Sequence, residues 1–206
     1  MIEHQNLRTD LRRIQEWIEP NSRLLDLACG DGTLLSVLRD TKNTSGYGME
    51  ISQSDINTCL ARGLNVVHRD IELGLETFDA QSFDYVLTTH SIQTLRYPAH
   101  TLLEMVRVGV RGIVSFPNMG FWSARLSIGL LGKMPRTKSL PHEWYDTPNT
   151  HLCTLRDFEN LCEKLNIQIV RRAAVTNARD RSLRSTILPN LFSETALYEI
   201  TATHTN

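Results

Sequence analysis

Residues 24–35 read LLDLACGDGTLL, an apolar run that breaks at a glycine pair and then turns apolar again. A strand feeding a helix through such a turn aims backbone N–H groups and a helix N-terminus at whatever sits above it. Asp26 stands late in the apolar run, facing the turn. A carboxylate there suits a ligand that carries positive charge and repels a pyrophosphate. The three-glycine pattern of dinucleotide sites would end at position 35, where this chain has Leu35. Two more acids follow: Glu50, 20 residues after Gly30 in GYGME, and Asp70 in HRDIE. An acid at the first of these places can accept both hydroxyls of a ribose. His90, in TTHSIQTL, is a candidate catalytic base, with a packing or hydrogen-bonding role as its alternative. Each acid also has a plainer reading: Asp26 bonding the turn's own N–H groups, Glu50 and Asp70 as solvated strand-end charges, and Asp31 as a helix-start charge.

These residues need elements that bring them to one edge. Leu7, Leu11, Ile14 and Ile18 recur at helical spacing with Trp17 beside them, which predicts a first helix ending near Glu19-Pro20. Strands are expected over 23–27, 45–51, 65–69, 83–88 and 111–116. Helices are expected over 33–39, 52–62 with Ser52 as N-cap, and 98–108. Strands alternating with helices predict βαβ units and a parallel sheet covered on both faces. From Pro117 to Cys153 the rhythm is lost. It returns in a helix over 155–165, capped by Thr154, and in late strands over 167–174 and 196–203. The stretch TNARDRSLRSTILPN between them reads as a loop. Late strands joined without a long helix predict an antiparallel pair at the sheet edge. The expected architecture is one α/β domain over residues 1–206, with a mostly parallel seven-stranded sheet and an insert after the fifth strand at about 117–153.

The segment DLACGDG, Asp26 to Gly32, resembles the first motif of class I S-adenosylmethionine-dependent methyltransferases. The resemblance implies their Rossmann-like fold, with S-adenosylmethionine or S-adenosylhomocysteine as the ligand. It implies cofactor contacts from Asp26, Ala28, Gly30 and Gly32 in the turn, from Glu50 and Ile51 after the second strand, and from Asp70, Ile71 and His90. In that fold the acid after the third strand usually meets the adenine amino group, and the next backbone N–H, here that of Ile71, faces the ring. Many members have glycine where this chain has Ala28; alanine is small enough to predict only minor crowding.

Size and composition narrow the classes. A chain of 206 residues, 41% hydrophobic and 22% charged, is an ordinary soluble globular domain. A net charge of −1 supplies no field for nucleic acid or membrane, and Arg171-Arg172 with Arg179, Arg181 and Arg184 read as solvated surface. The N-terminus lacks a signal-peptide core, and the most apolar segment, 121–131, is too short to span a bilayer and carries Arg125, so a cytoplasmic protein is expected. Cys29, Cys59, Cys153 and Cys162 form no C-x-x-C and read as core thiols of a reducing compartment. His142, His151 and Cys153 match no common metal-ligand spacing, and no metal is expected. The insert mixes Phe121, Trp122, Leu126, Leu130 and Leu131 with Arg125, Lys133, Arg136 and Lys138, then runs through Trp144 and Tyr145. It reads as a lid, as a protein-contact surface, or as a segment packed on its own domain.

The segment MPRTKSLPHEWYDTPNTHLCTLRDFENLC, with LRTDL, LLDLACGDG, GYGMEIS, SFDYVL and RGIVSFPNMGFW, resembles the methionine biosynthesis protein MetW family. The likeness covers nearly the whole chain and is weakest near the C-terminus. It implies a role in making methionine and a complex with homoserine O-acyltransferase, which activates homoserine with an acetyl or succinyl group before sulfur enters. It implies no particular methyl acceptor. The family's loop after the fourth strand reads nearer SQTLQ than this chain's His90-Ser91-Ile92-Gln93, so the resemblance carries no histidine mechanism. Two functions follow. One is a cofactor-binding partner or regulatory subunit of the acyltransferase. The alternative is an active methyltransferase on a small molecule, with His90 as base and Tyr145 or His151 touching substrate. A homodimer stays open.

Overall fold

The computed structural model describes residues 7–137, 139–175 and 187–203. Five strands run parallel: β1 (Arg23–Leu27), β2 (Ser45–Glu50), β3 (Val66–His68), β4 (Phe83–Thr89) and β5 (Gly109–Pro117). Two more, β6 (Ile167–Val175) and β7 (Thr195–Ala202), complete a sheet of order β3-β2-β1-β4-β5-β7-β6. β7 pairs antiparallel with both β5 and β6, the expected antiparallel pair at the sheet edge. The chain leaves β1 toward β2 on one side and later returns to place β4 on the other. A crevice therefore opens at the carboxyl ends of β1 and β4, where parallel sheets of this kind hold ligands.

Both faces of the sheet are buried, and alternate strand residues feed two cores. Leu25, Leu27, Val86, Val114 and Phe116 pack under α4 (Pro98–Val108) and α6 (Leu155–Lys164). Leu24, Tyr85, Leu87 and Ile113 pack under α1 (Thr9–Trp17), α2 (Thr33–Lys42) and α3 (Gln53–Ala61). The helix starts follow side-chain chemistry. Ser52 accepts from the Asp55 N–H, and Thr154 forms a reciprocal capping box with Asp157. The expected elements recur within a residue or two, except that α2 runs on to Lys42.

Three expectations need correction. First, the segment after Pro117 is not wholly irregular: α5 spans Trp122–Leu131 and ends at Gly132 in the left-handed region. Its period was hidden because only Ala124 is buried, so no apolar-polar alternation marks it. Second, Arg171 is not free surface. It bonds the fully buried Glu199 at 2.5 Å, donates to the Trp17 carbonyl at 3.1 Å, and stacks 4.6 Å over the Trp17 ring. Arg111 completes the neutralisation of Glu199 at 3.1 Å, and Arg172 pairs with Glu159. Third, the loop between the late strands closes with a helical turn, Pro189–Phe192. The rest of that loop, with Arg179, Arg181 and Arg184, and Lys138 of the insert lie outside the described residues.

Arg171 thus ties the end of α1 to an edge strand far away in sequence. Replacing it with alanine leaves a buried carboxylate with one partner and uncovers Trp17. Arg111 remains and both guanidinium groups are partly solvated, so the loss falls at the low end for such pairs, about 2 kcal/mol. Urea unfolding of Arg171→Ala against the parent checks this; an unchanged midpoint refutes the tie.

Candidate functional site

The glycine turn sits over the carboxyl end of β1. Ala28, Gly30 and Gly32 adopt φ of 55°, 55° and 73°, so every second residue of the turn is left-handed. Glycine takes this region without strain, whereas alanine loses about 1–2 kcal/mol there. The cost of Ala28 is therefore conformational, and not the slight crowding that its size suggests. The turn is pinned from β2: the Cys29 N–H donates to the Met49 carbonyl at 3.1 Å, and the Gly30 N–H donates to Glu50 Oε2 at 2.9 Å. Glu50 Oε1 accepts from the N–H groups of Ile51 and Ser52 at 2.8 and 2.9 Å. Beneath the turn, a Cβ on Gly48 would stand 2.4 Å from Cys29 Sγ and 3.2 Å from Leu35 Cδ1. The space that a third glycine supplies in dinucleotide sites is here supplied from the strand side.

Asp26 is 1% exposed, and neither of its carboxylate oxygens accepts a hydrogen bond among the described residues. It does not bond the turn. Burial, reinforced by the nearby charge of Glu50, raises its pKa from 3.8 to about 7. A buried carboxyl without donors is costly unless something supplies them. It opens on a cavity of about 370 Å³ lined by Leu7, Arg8 and Leu11 of the N-terminal segment, by residues 28–34 in part, and by Thr89. A larger cavity of about 700 Å³ lies between Thr154–Asp157 and Leu188–Leu191, away from every strand-end acid. The orphaned carboxylate, rather than the volume, marks the site.

The other predicted residues divide. Asp70 is exposed and caps a short turn of helix, Ile71–Leu73, by accepting the Glu72 N–H at 2.9 Å. Ile71 turns its side chain into the core, while Ile51 is 61% exposed at the end of β2. Asp31 is held by Thr33 and by Arg62 at 3.0 Å; these bonds outweigh its partial burial and lower its pKa. His90 is left-handed at φ 60° and donates its backbone N–H to the Ser115 carbonyl. Its ring does not line the cavity with Asp26. Nε2 stands 3.3 Å from Asp10 Oδ2 instead.

Arg8 lines the cavity and Asp10 lies beside it, and the sequence reading passed over both. Asp10 is 4% exposed and takes a two-point contact from Arg8 at 2.9 and 3.1 Å. Burial raises the Asp10 pKa, but the contacts with His90 and Arg8 prevail and bring it to about 2. The signal was available: Asp10 falls on the apolar face of α1, between Leu7 and Ile14, where an acid needs a reason. Gln93 was also missed. Its backbone carbonyl accepts from Thr150 and His151, and its side chain donates to the Pro117 carbonyl, which clasps the insert to the loop after β4. Cys29 and Cys59, thirty residues apart in sequence, come within 4.0 Å as free thiols, with pKa values raised by burial. Among the described residues no three His, Cys, Asp or Glu side chains gather to hold a metal. No described helix is long and apolar enough to cross a membrane.

The family model for methionine biosynthesis protein MetW matches residues 8–200. The chain belongs to the MetW family. A curated relative from Rhodopirellula baltica, "Bifunctional methionine biosynthesis protein MetXA/MetW", is 31% identical over 200 residues, covering 93% of this chain. The match spans 32% of that relative, so this MetW chain corresponds to about a third of its length. The fold is that of the class I methyltransferases. A solved S-adenosylmethionine-dependent methyltransferase from Mesorhizobium loti superposes with a TM-score of 0.66 at 15% identity, over 92% of this chain and 94% of that one. A second, from Archaeoglobus fulgidus, gives 0.64 at 16%, over 92% and 90%.

Two predictions rest on this geometry. Gly48→Ala drives a methyl group into Cys29 Sγ and loosens the turn, a loss of about 1–3 kcal/mol in urea unfolding. Adding Cys29→Ala recovers most of it if that contact is the cause. The second concerns pH. A carboxyl whose folded pKa lies above its unfolded value favours the folded state when protonated. Its contribution is complete below about 3.8 and is lost as pH rises through about 7. The ligand-free protein should lose stability as pH rises across that window. Asp26→Asn should flatten the profile there. The Asp10 contribution lies lower, lost as pH falls from 3.8 toward 2.

Proposed function

We propose that this protein is an S-adenosylmethionine-binding partner subunit of homoserine O-acyltransferase, serving the first step from homoserine toward methionine. One observation carries the partnership: the R. baltica relative bears both a MetXA and a MetW name on one polypeptide. Two activities joined in one chain act at one place in one sequence of reactions, and separate chains of the same two kinds fit a complex.

The ligand assignment rests on Asp26. Its unbonded, buried carboxylate fits a ligand ammonium, which would supply both the charge and the donors it lacks. Bound there, S-adenosylmethionine would bring a methylsulfonium open to displacement, and S-adenosylhomocysteine would bring the same ammonium without it. Ala28, Gly30 and Gly32 let the backbone approach such a ligand, Glu50 serves the ribose, and Ile51 offers an exposed apolar surface beside it. Asp70 and the Ile71 N–H serve the adenine edge. S-adenosylmethionine is made from methionine, so its occupancy reports end-product supply. Control by that route requires unequal affinity for the free and complexed subunit.

One observation favours a second reading, an active methyltransferase on a small molecule. His90 and buried Asp10 form a close pair that can orient an imidazole and stabilise it when protonated. Formation of S-adenosylhomocysteine against a panel of metabolite acceptors separates the two readings: turnover supports the second.

The decisive experiment is calorimetric titration with S-adenosylmethionine and S-adenosylhomocysteine, with and without purified acyltransferase. Asp26 must ionise to meet an ammonium, so binding at pH 6 should release close to one proton, and at pH 8 much less. The proton count is read from the dependence of heat on buffer ionisation enthalpy. Asp26→Ala should abolish binding; unchanged affinity overturns the ligand. No complex and no change in acyltransferase rate overturns the partnership.

A further inference from the structure

We infer that Arg8 receives the ligand's carboxylate, so that the cavity beside the glycine turn holds an intact α-amino-acid group, ammonium on Asp26 and carboxylate on Arg8. The inference deepens the ligand reading proposed above and rests on it. Among the described residues, three charged side chains line that cavity: Arg8, Asp26 and Asp31. Asp31 is already engaged by Thr33 and Arg62. One buried carboxyl without donors and one cation remain to meet a ligand. A zwitterion, with ammonium and carboxylate on one carbon, answers both. A plain amine answers only Asp26, and an adenosine without either charge answers neither.

Arg8 is held in place for this contact. It stands just before α1 in extended backbone, at φ −52° and ψ 146°, and its carbonyl accepts the Arg12 N–H at 3.1 Å. The Arg12 side chain donates back to the Leu7 carbonyl at 2.9 Å, and Leu7 and Leu11 are both buried. One edge of the Arg8 guanidinium, Nε and Nη2, donates to the two oxygens of Asp10 at 3.1 and 2.9 Å. That uses two of the five N–H groups of a planar fork. Nη1 meets no acceptor among the described residues, and the side chain is 51% exposed. Asp10 is fixed in turn, with Ser115 Oγ at 3.5 Å and His90 Nε2 at 3.3 Å. An acid on the buried face of a helix needs a reason, and aiming a guanidinium at the crevice is one. A group oriented before contact loses little entropy on binding.

The consequence is a choice among adenosyl compounds. Turn and ribose contacts are open to any of them, because they concern the part that all share. The pair of Asp26 and Arg8 admits the sulfonium or thioether amino acid and penalises a fragment that has lost its carboxylate, which leaves Arg8 unanswered beside a cationic ligand. A subunit that reports end-product supply needs this discrimination, since adenosyl fragments carry no such information.

The test is calorimetric titration of the full chain with S-adenosylmethionine and with its decarboxylated form, which keeps the sulfonium and the ammonium. The parent should prefer the intact compound by at least about 10-fold, as a charge-assisted contact implies. Arg8→Gln should weaken S-adenosylmethionine by at least about 10-fold and the decarboxylated form by less than about threefold, so the preference disappears. Both ligands meet the same variant, so a partial loss of folding lowers both affinities alike and leaves their ratio unchanged. Equal losses for the two ligands assign Arg8 to its pairing with Asp10 alone and overturn the inference. A parent that binds both forms equally also overturns it, and leaves the ligand reading standing. A parent that binds neither overturns the ligand reading and the inference together.

Discussion

A single unbonded carboxylate governs this structure. Asp26 sits late in a central parallel strand, buried, with no donor for either oxygen among the described residues. Such a group is costly to ionise in the protein alone, and burial with the nearby charge of Glu50 raises its pKa. The surrounding architecture keeps donors away from it. The turn above bends through left-handed residues at 28, 30 and 32, so its N–H groups go to Glu50 and to the neighbouring strand instead. Gly48 leaves room for Cys29 and Leu35 underneath. The local rules for a stable turn are broken at one point, and a ligand cation is what would mend it.

Around that point the charges are paired with care. Asp10 is buried on the inner face of the first helix and paired with Arg8, with His90 Nε2 3.3 Å away. Glu199 is buried on the same side of the sheet and neutralised by Arg111 and Arg171. Both sets fasten the N-terminal helix, which forms one wall of the crevice. Buried ion pairs add little net stability over apolar packing, but they make the position of that helix specific. Leu7, Arg8 and Leu11 of this N-terminal segment line the crevice.

Most of the scaffold was legible in the chain. Strand runs such as RLLDL and FDYVL are bounded by glycine or turn residues, and their buried faces are continuous, as a two-sided parallel sheet demands. Ser52 and Thr154 announce their helices through capping chemistry that acts within three residues. α5 was not legible, because periodicity predicts a helix through the face it buries, and this helix buries almost none. Gln93 was not legible because its carbonyl meets Thr150 and His151, more than fifty residues away, whereas Asp10 was marked only by its place on an apolar helix face.

The sequence by itself determined the local matters: where strands and helices start, that the turn is built for close backbone approach, and that three acids lie at successive strand ends. These depend on interactions between neighbours in the chain, which spacing and residue type record directly. Tertiary structure alone decided that Asp26 meets no donor among the described residues, that Glu50 already holds the turn, that His90 faces Asp10, and that α5 buries only Ala124. Those facts concern which partners a side chain meets and whether water reaches it. Both are set by segments distant in sequence, whose arrangement no local pattern contains.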